Sequence, residues 1–219
     1  MKLEMKSILV IGLGRFGKHL AEKLNELGHQ IMAVDRDEER INDVLEFVTS
    51  AQIGDGTNRN FLETLGVDNY DVCFVTISND FQGSLITTTY LKELGAKLVV
   101  ARAERDVQKS LLLRNGADEV IYPEEQVANW AAIKYSSNHV LDYIKLDADL
   151  SIFEVPVPNN WIGKSIGQID IRRKFKISIL SVKVNGKMNP SVTPEIVLTT
   201  GMTLYVLGEF KALQKCFKI

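Results

Sequence analysis

Short apolar runs alternate with amphipathic stretches over residues 1–125. The runs predict strands at Ser7–Ile11, Gln30–Asp35, Glu46–Gln52, Val72–Ile77, Leu98–Ala103 and Glu119–Tyr122. Between the first two, Phe16, Leu20, Leu24 and Leu27 recur near a helical period, which predicts a helix over Arg15–Leu27. Further helices are predicted at Glu38–Leu45, Arg59–Leu65, Phe81–Leu94 and Val107–Asn115. The dipeptides Leu27-Gly28, Leu65-Gly66 and Leu94-Gly95 punctuate three helix ends, and Gly116 stops a fourth. Short strands separated by helices call for a parallel sheet covered on both faces. The expected fold is therefore α/β, a Rossmann-like doubly wound sheet.

A helix over Glu125–Ser137 follows the last of these strands and precedes a change of texture. Beyond Asn138, apolar and polar residues alternate in Ser151–Val157, Ile177–Val184 and Met202–Gly208, as strands with one buried face do. Asn185-Gly186 reads as a tight hairpin turn. Ser165–Lys174 and Phe210–Phe217 read as helices. The chain thus divides into a nucleotide-binding domain at 1–137 and a small α+β lobe at 138–219. A lobe of about 80 residues has a marginal core, so docking or dimerisation is expected of it.

Among 219 residues, 45% are hydrophobic and 25% charged, and the net charge is −2. Nothing in that balance favours a nucleic-acid backbone or an anionic membrane as partner. Two cysteines, Cys73 and Cys216, suit a reducing cytoplasm. No run reaches the ~18 apolar residues of a membrane span. Met1–Lys6 lacks the apolar core of a signal peptide.

The candidate chemistry begins at Gly12-Leu13-Gly14-Arg15-Phe16-Gly17, which follows an apolar strand and opens an amphipathic helix. That context is what a dinucleotide-binding glycine turn demands. Gly12 makes the turn, Gly14 lets backbone approach a pyrophosphate, and Gly17 lets the helix press on the strand. The helix N-terminus offers free N–H groups to phosphate. Asp35, eighteen residues beyond Gly17, ends the second strand and is placed to accept from a ribose diol. Its charge disfavours a 2′-phosphate, while Arg36 beside it can pair with one. Arg15 is unusual inside such a loop; a guanidinium there can reach a terminal phosphate or a neighbouring subunit.

Other candidates sit at later strand ends. In Gly54-Asp55-Gly56-Thr57, Asp55 either accepts from an adenine amino group or caps the Arg59 helix. Ile77, Ser78, Asn79 and Asp80 follow the fourth strand; Asn79 and Asp80 contact ribose or phosphate, or cap the Phe81 helix. Arg102 is a phosphate candidate with Glu104 as its ion-pair partner. Glu124 or Glu125 binds a cation, or both belong to a solvated acidic loop.

An enzyme of this fold needs an acid or base beside the cofactor. His19 and His29 are not placed as one, His139 could be but stands alone at the lobe boundary, no lysine–tyrosine pair stands at helical spacing in the expected region, and no Walker A loop or zinc spacing occurs. The residues therefore read as a nucleotide sensor and not an enzyme. A small NAD-dependent oxidoreductase and a nucleotide-responsive interaction module are the rival classes.

Nearly the whole chain resembles the regulatory subunits of Trk/Ktr-type potassium uptake systems, which contain RCK domains. The resemblance is carried by Val10–Gly17, Ala33-Val34-Asp35, Gly54–Thr57 and Ala117–Glu124, and in the second lobe by Trp161–Ile166 and Gly201–Gly208. It implies a homo-oligomer, dimers assembled into an octameric ring, docked at the inner face of the cell membrane under a potassium channel or transporter subunit. It also implies ATP, ADP or NAD(H) in the cradle. Arg15 would contact phosphates, including those of a neighbouring subunit. Asp35 would bind ribose, and Asp55 with Thr57 would serve adenine. Glu124 matches a glutamate that helps hold a divalent or monovalent cation at the dimer interface. Some members bind cyclic di-AMP in the C-terminal lobe; no residues for that ligand are identified in this sequence. The single pair of lobes resembles the Ktr type more than the tandem Trk type.

Overall fold

The structure is a computed structural model that describes residues 4–147 and 149–219. The chain forms two compact units, Met1–Glu125 and Gln126–Ile219.

The first unit carries strands β1 (Ser7–Ile11), β2 (Gln30–Asp35), β3 (Ser50–Ile53), β4 (Val72–Val75), β5 (Val99–Arg102) and β6 (Glu119–Ile121). They make one parallel sheet in the order β3-β2-β1-β4-β5-β6. Helices α1 (Arg15–Glu26), α2 (Glu38–Asn42), α3 (Arg59–Thr64), α4 (Phe81–Glu93) and α5 (Asp106–Arg114) lie between the strands. Alternate residues of β1 feed two separate cores. Ile8 and Val10 pack with Ala21 and Ile41, while Leu9 and Ile11 pack with Leu62, Leu91 and Leu112. Both faces are covered, as a doubly wound sheet requires. Strand order reverses between β1 and β4, so a crevice opens at their carboxyl ends.

The Leu-Gly pairs act as helix stops. After α1, the Gly28 N–H donates to Asn25 O at 2.8 Å and the His29 N–H to Leu24 O at 3.2 Å, with Gly28 at φ +84°. This double closure satisfies carbonyls that the helix end leaves open, and it needs a left-handed residue at Gly28.

Sequence pattern and structure differ by two residues or more at four places in and just after this unit, the first being α2, which ends at Asn42 and not at the expected Leu45. The strand expected from Glu46 begins only at Ser50, because residues 43–47 form turns in which Val44 is buried and Phe47 packs beside it. The strand expected through Ile77 ends at Val75, and Thr76 and Ile77 line the crevice instead. Helix α6 runs over Pro123–Tyr135, two residues ahead of the expected span, with proline at its first position.

In the second unit, Trp130 and Ile133 of α6 pack on the core, and the Trp130 indole N–H donates to Asp142 Oδ1 at 3.1 Å. Strands β7 (Asp142–Lys145), β8 (Leu150–Pro156), β9 (Ser178–Val184), β10 (Lys187–Asn189) and β11 (Thr203–Glu209) form an antiparallel sheet in the order β10-β9-β11-β8-β7. One face buries Phe153, Val155, Val182, Leu204 and Val206 against α9 (Phe210–Phe217). The helix expected over Ser165–Lys174 is two short helices, α7 (Ile166–Ile169) and α8 (Ile171–Phe175). The break falls at Asp170, which takes the left-handed conformation at φ +53°. On the opposite face Glu154 is buried and accepts from Lys183 Nζ (3.0 Å), Thr203 Oγ1 (2.7 Å) and Tyr205 OH (2.6 Å).

Candidate functional site

Three clefts open side by side along the carboxyl edge of the parallel sheet. All three touch Ser78 and Asn79, so they form a continuous trough. The first is lined by Gly12, Gly14, Asp35, Arg36, Asp55, Gly56, Thr57, Ile77 and Asp80. The second is lined by Leu13, Gly14, Arg15, Lys18 and Arg40. The third is lined by Arg15, Phe16, Arg102, Glu104 and Glu124. Every candidate except Gly17 and Glu125 thus lines the trough.

Each loop glycine has a separate physical reason. A Cβ on Gly12 would stand 2.8 Å from Ile77 N, and Gly12 sits at φ +97°. A Cβ on Gly17 would stand 2.0 Å from Gly12 O and 2.6 Å from Thr76 Oγ1, so α1 approaches the loop as closely as its backbone allows. Gly14 differs. Its Cβ would meet only Ser78 Oγ, at 3.7 Å, which is ordinary contact. Nothing in the protein requires glycine there. The open space beside it lies on the trough, at the N-terminus of α1. Gly14 provides no side-chain cap to that helix, and the first backbone bond across it is Lys18 N–H to Gly14 O at 2.9 Å. The N–H groups of the first turn are thus uncapped beside empty space, the arrangement that suits an anion.

Asp35 is buried at 5% exposure. Its Oδ2 accepts from the Leu13 N–H at 2.6 Å and its Oδ1 from the Asp37 N–H at 3.0 Å. The carboxylate therefore clamps the glycine loop to the end of β2. Each oxygen keeps a lone pair for a further donor such as a ribose hydroxyl. Arg40 Nη1 stands 3.5 Å from Asp35 Oδ2.

Asp55 accepts from the Thr57 N–H (2.9 Å) and Thr57 Oγ1 (2.8 Å). These bonds, with Arg36 nearby, hold its carboxyl below the usual range. It does not cap α3; Asn58 does, accepting from the Phe61 N–H. Asp80 is the cap of α4, accepting from the Gly83 N–H at 2.8 Å. Arg102 pairs with Glu104 at 3.2 Å, as expected, and also with Glu124 at 2.5 Å. Its guanidinium lies 5.7 Å from the Phe16 ring centroid. Glu125 stands 4.0 Å from Lys109 Nζ. Among the described residues, no group of three His, Cys, Asp or Glu side chains could hold a metal ion, and no helix is long and apolar enough to cross a membrane.

The sequence reading missed Ile11, Arg40, Gly54, Thr76 and Gly83 in the first cleft. Thr76 is buried, and its hydroxyl donates to the carbonyls of Ile11 and Gly12, holding the loop in its turn. A threonine ending an otherwise apolar strand was the available signal.

A TrkA-N domain family model matches residues 8–123 and a TrkA-C domain model residues 150–219. The chain is 37% identical to Ktr system potassium uptake protein C of Bacillus subtilis (strain 168), over 93% of this chain and 92% of that protein. It is 33% identical to Ktr system potassium uptake protein A of the same strain, over 98% and 96%. Among solved structures, the GsuK channel bound to NAD superposes with a TM-score of 0.69 at 22% identity, covering 96% of this chain. The present chain spans 38% of that channel chain.

Proposed function

We infer function from the premise that this chain belongs to the TrkA-N/TrkA-C family of potassium-uptake regulatory subunits. It is a regulatory subunit and not an enzyme, and it works with a separate membrane subunit that passes potassium. In this reading the trough of the first unit holds an adenine nucleotide or NAD(H), and occupancy changes potassium flux through the partner. The subunits assemble as a ring, an octamer built from dimers by family pattern, on the cytoplasmic side of the membrane. No ligand is assigned to the second unit.

The observation that carries the nucleotide reading is the contrast between Gly14 and its two neighbours. Gly12 and Gly17 are demanded by the protein's own packing; Gly14 is not, and the space it leaves adjoins uncapped helix N–H groups. A pyrophosphate or triphosphate lying there shares its cleft with Asp35, a candidate for the ribose, and with the Asp55–Thr57 loop. Arg15 supplies a cation to the phosphates. Glu124 is the acidic residue that the family pattern matches to a cation at a subunit contact, and in the isolated chain Arg102 pairs with it.

Calorimetric titration of nucleotide-free protein with ATP, ADP, NADH and NAD, each alone, tests the reading. Saturable binding of at least one is expected, and it should weaken by about tenfold or more in Arg15→Ala if the phosphates reach that side chain. Failure of all four to bind would overturn the assignment of the trough. Light scattering of the same samples checks the ring.

A further inference from the structure

The third cleft holds a side chain that the nucleotide reading leaves unexplained. The Arg102 side chain is 11% exposed, yet it stands between two carboxylates and a ring. Nη1 meets Glu104, Nη2 meets Glu124, and the buried Nε has no hydrogen-bond partner among the described residues. A guanidinium has five donors, so this one is held by its ends with a donor to spare. Its three neighbours come from different elements. Phe16 is in the first turn of α1, Glu104 follows β5, and Glu124 is the second residue of α6. Arg102 therefore ties the first turn of the helix that opens beside the phosphate space to the first turn of α6. That helix runs on into the second unit.

The trough leads to this spot. Gly14 lines the first and second clefts, Arg15 the second and third, and Ser78 and Asn79 all three. A phosphate chain that starts at Gly14 and lengthens past Arg15 comes next to Arg102. We propose that Arg102 reads the terminal phosphate of a bound nucleoside triphosphate by exchanging Glu124 for it, which unties the first turn of α6. This rests on the nucleotide reading above and adds to it a residue that separates triphosphate from diphosphate. Glu124 is the partner released, since its side chain is 56% exposed and water can take over its solvation. Glu104 is 38% exposed and sits two residues from Arg102 on the same strand end. A phosphate offers the guanidinium two oxygens in a planar fork, which one carboxylate oxygen on each of two side chains does not. Glu124, once freed, is also available to a cation.

Hydrogen–deuterium exchange on the full chain, in metal-free buffer with chelator, tests the proposal with ATP and ADP in parallel. The amides to follow are Val127–Trp130, whose helical bonds close on the first turn of α6. ATP should speed their exchange and ADP should not. In Glu124→Gln, exchange should be fast without ligand and ATP should add nothing. The same variant should bind ATP about fivefold more tightly in calorimetry, because the competitor for Arg102 is weakened, and bind ADP unchanged. If neither ATP nor ADP binds, the exchange at Arg102 is refuted, and the nucleotide reading fails with it only where NADH and NAD do not bind either. If both bind with identical exchange at Val127–Trp130, or Glu124→Gln leaves ATP affinity unchanged or lower, the exchange at Arg102 is refuted and the nucleotide reading stands. Binding of ADP without ATP also refutes it.

Discussion

Gly14→Ala and Gly17→Ala should separate ligand binding from folding, although the two residues lie in one turn. An alanine Cβ at Gly17 would stand 2.0 Å from Gly12 O, where ordinary contact begins at 3.4 Å, so α1 and the loop must part by about 1.4 Å (3.4 − 2.0). That movement also breaks the Thr76 hydroxyl bond to Gly12 O. Overpacking of this size costs about 3 kcal/mol or more. At Gly14 the backbone is at φ −60°, ψ −178°, which alanine adopts freely, and the nearest atom is 3.7 Å away. Stability should stay within about 0.5 kcal/mol of wild type. The added methyl instead fills the space beside the uncapped N–H groups, so nucleotide affinity should drop by about tenfold or more. Urea unfolding followed by circular dichroism measures the first quantity, and calorimetric titration the second. A Gly14→Ala protein that binds nucleotide like wild type would refute the argument. So would one that loses as much stability as Gly17→Ala.

Two further predictions concern the other buried groups. Burial pushes the Glu154 carboxyl up, but hydrogen bonds from Tyr205, Thr203 and Lys183 outweigh it and hold the group below its ordinary value. Its stabilisation is therefore complete above that value and is lost as pH falls through the depressed pKa. Glu154→Gln should melt lower than wild type near neutral pH and show a shallower loss of melting temperature on acidification; an unchanged acid limb would refute this. Burial pushes the Cys73 thiol up to about 12 and Cys216 to about 11, so neither reacts as thiolate near neutral pH. An aromatic disulfide reagent should label the folded chain slowly and release two thiols on denaturation; fast labelling of either in the folded state would count against the packing described.

Features legible in the sequence were those set by local sterics or by period. The glycine loop, the three Leu-Gly helix stops and the alternation in β8, β9 and β11 each depend on a few adjacent residues. Long-range closure was not legible. Asp35 could be read as a ribose carboxylate, but its bond to the Leu13 N–H joins residues 22 apart and exists only because β1 and β2 lie side by side. Arg102 and Glu124 were both marked as site residues, yet their pairing needs the ends of β5 and β6 to be neighbours. Strand β7 escaped notice because only Tyr143 of its four residues is buried. The apolar Val44 and Phe47 imitated a strand because a turn can bury side chains as well as a sheet can.

The charges in the trough bear on why such a site senses and does not simply retain its ligand. Lys18 is paired with Asp43, Arg40 with Asp35 and Asp37, and Arg102 with Glu104 and Glu124. Among the described residues, Arg15 and Arg36 are without an ion pair. A phosphate chain entering the trough thus meets free cations at two points and already neutralised ones elsewhere. Where the cation is free, the gain is affinity alone. Where it is paired, the ligand gains only what the displaced carboxylate loses, so affinity rises little while a protein contact is broken. A ligand shifts a conformational balance only by interacting differently with the two states. The paired arginines are the places where that difference can arise, and of their carboxylates Glu124 alone belongs to the helix that continues into the second unit.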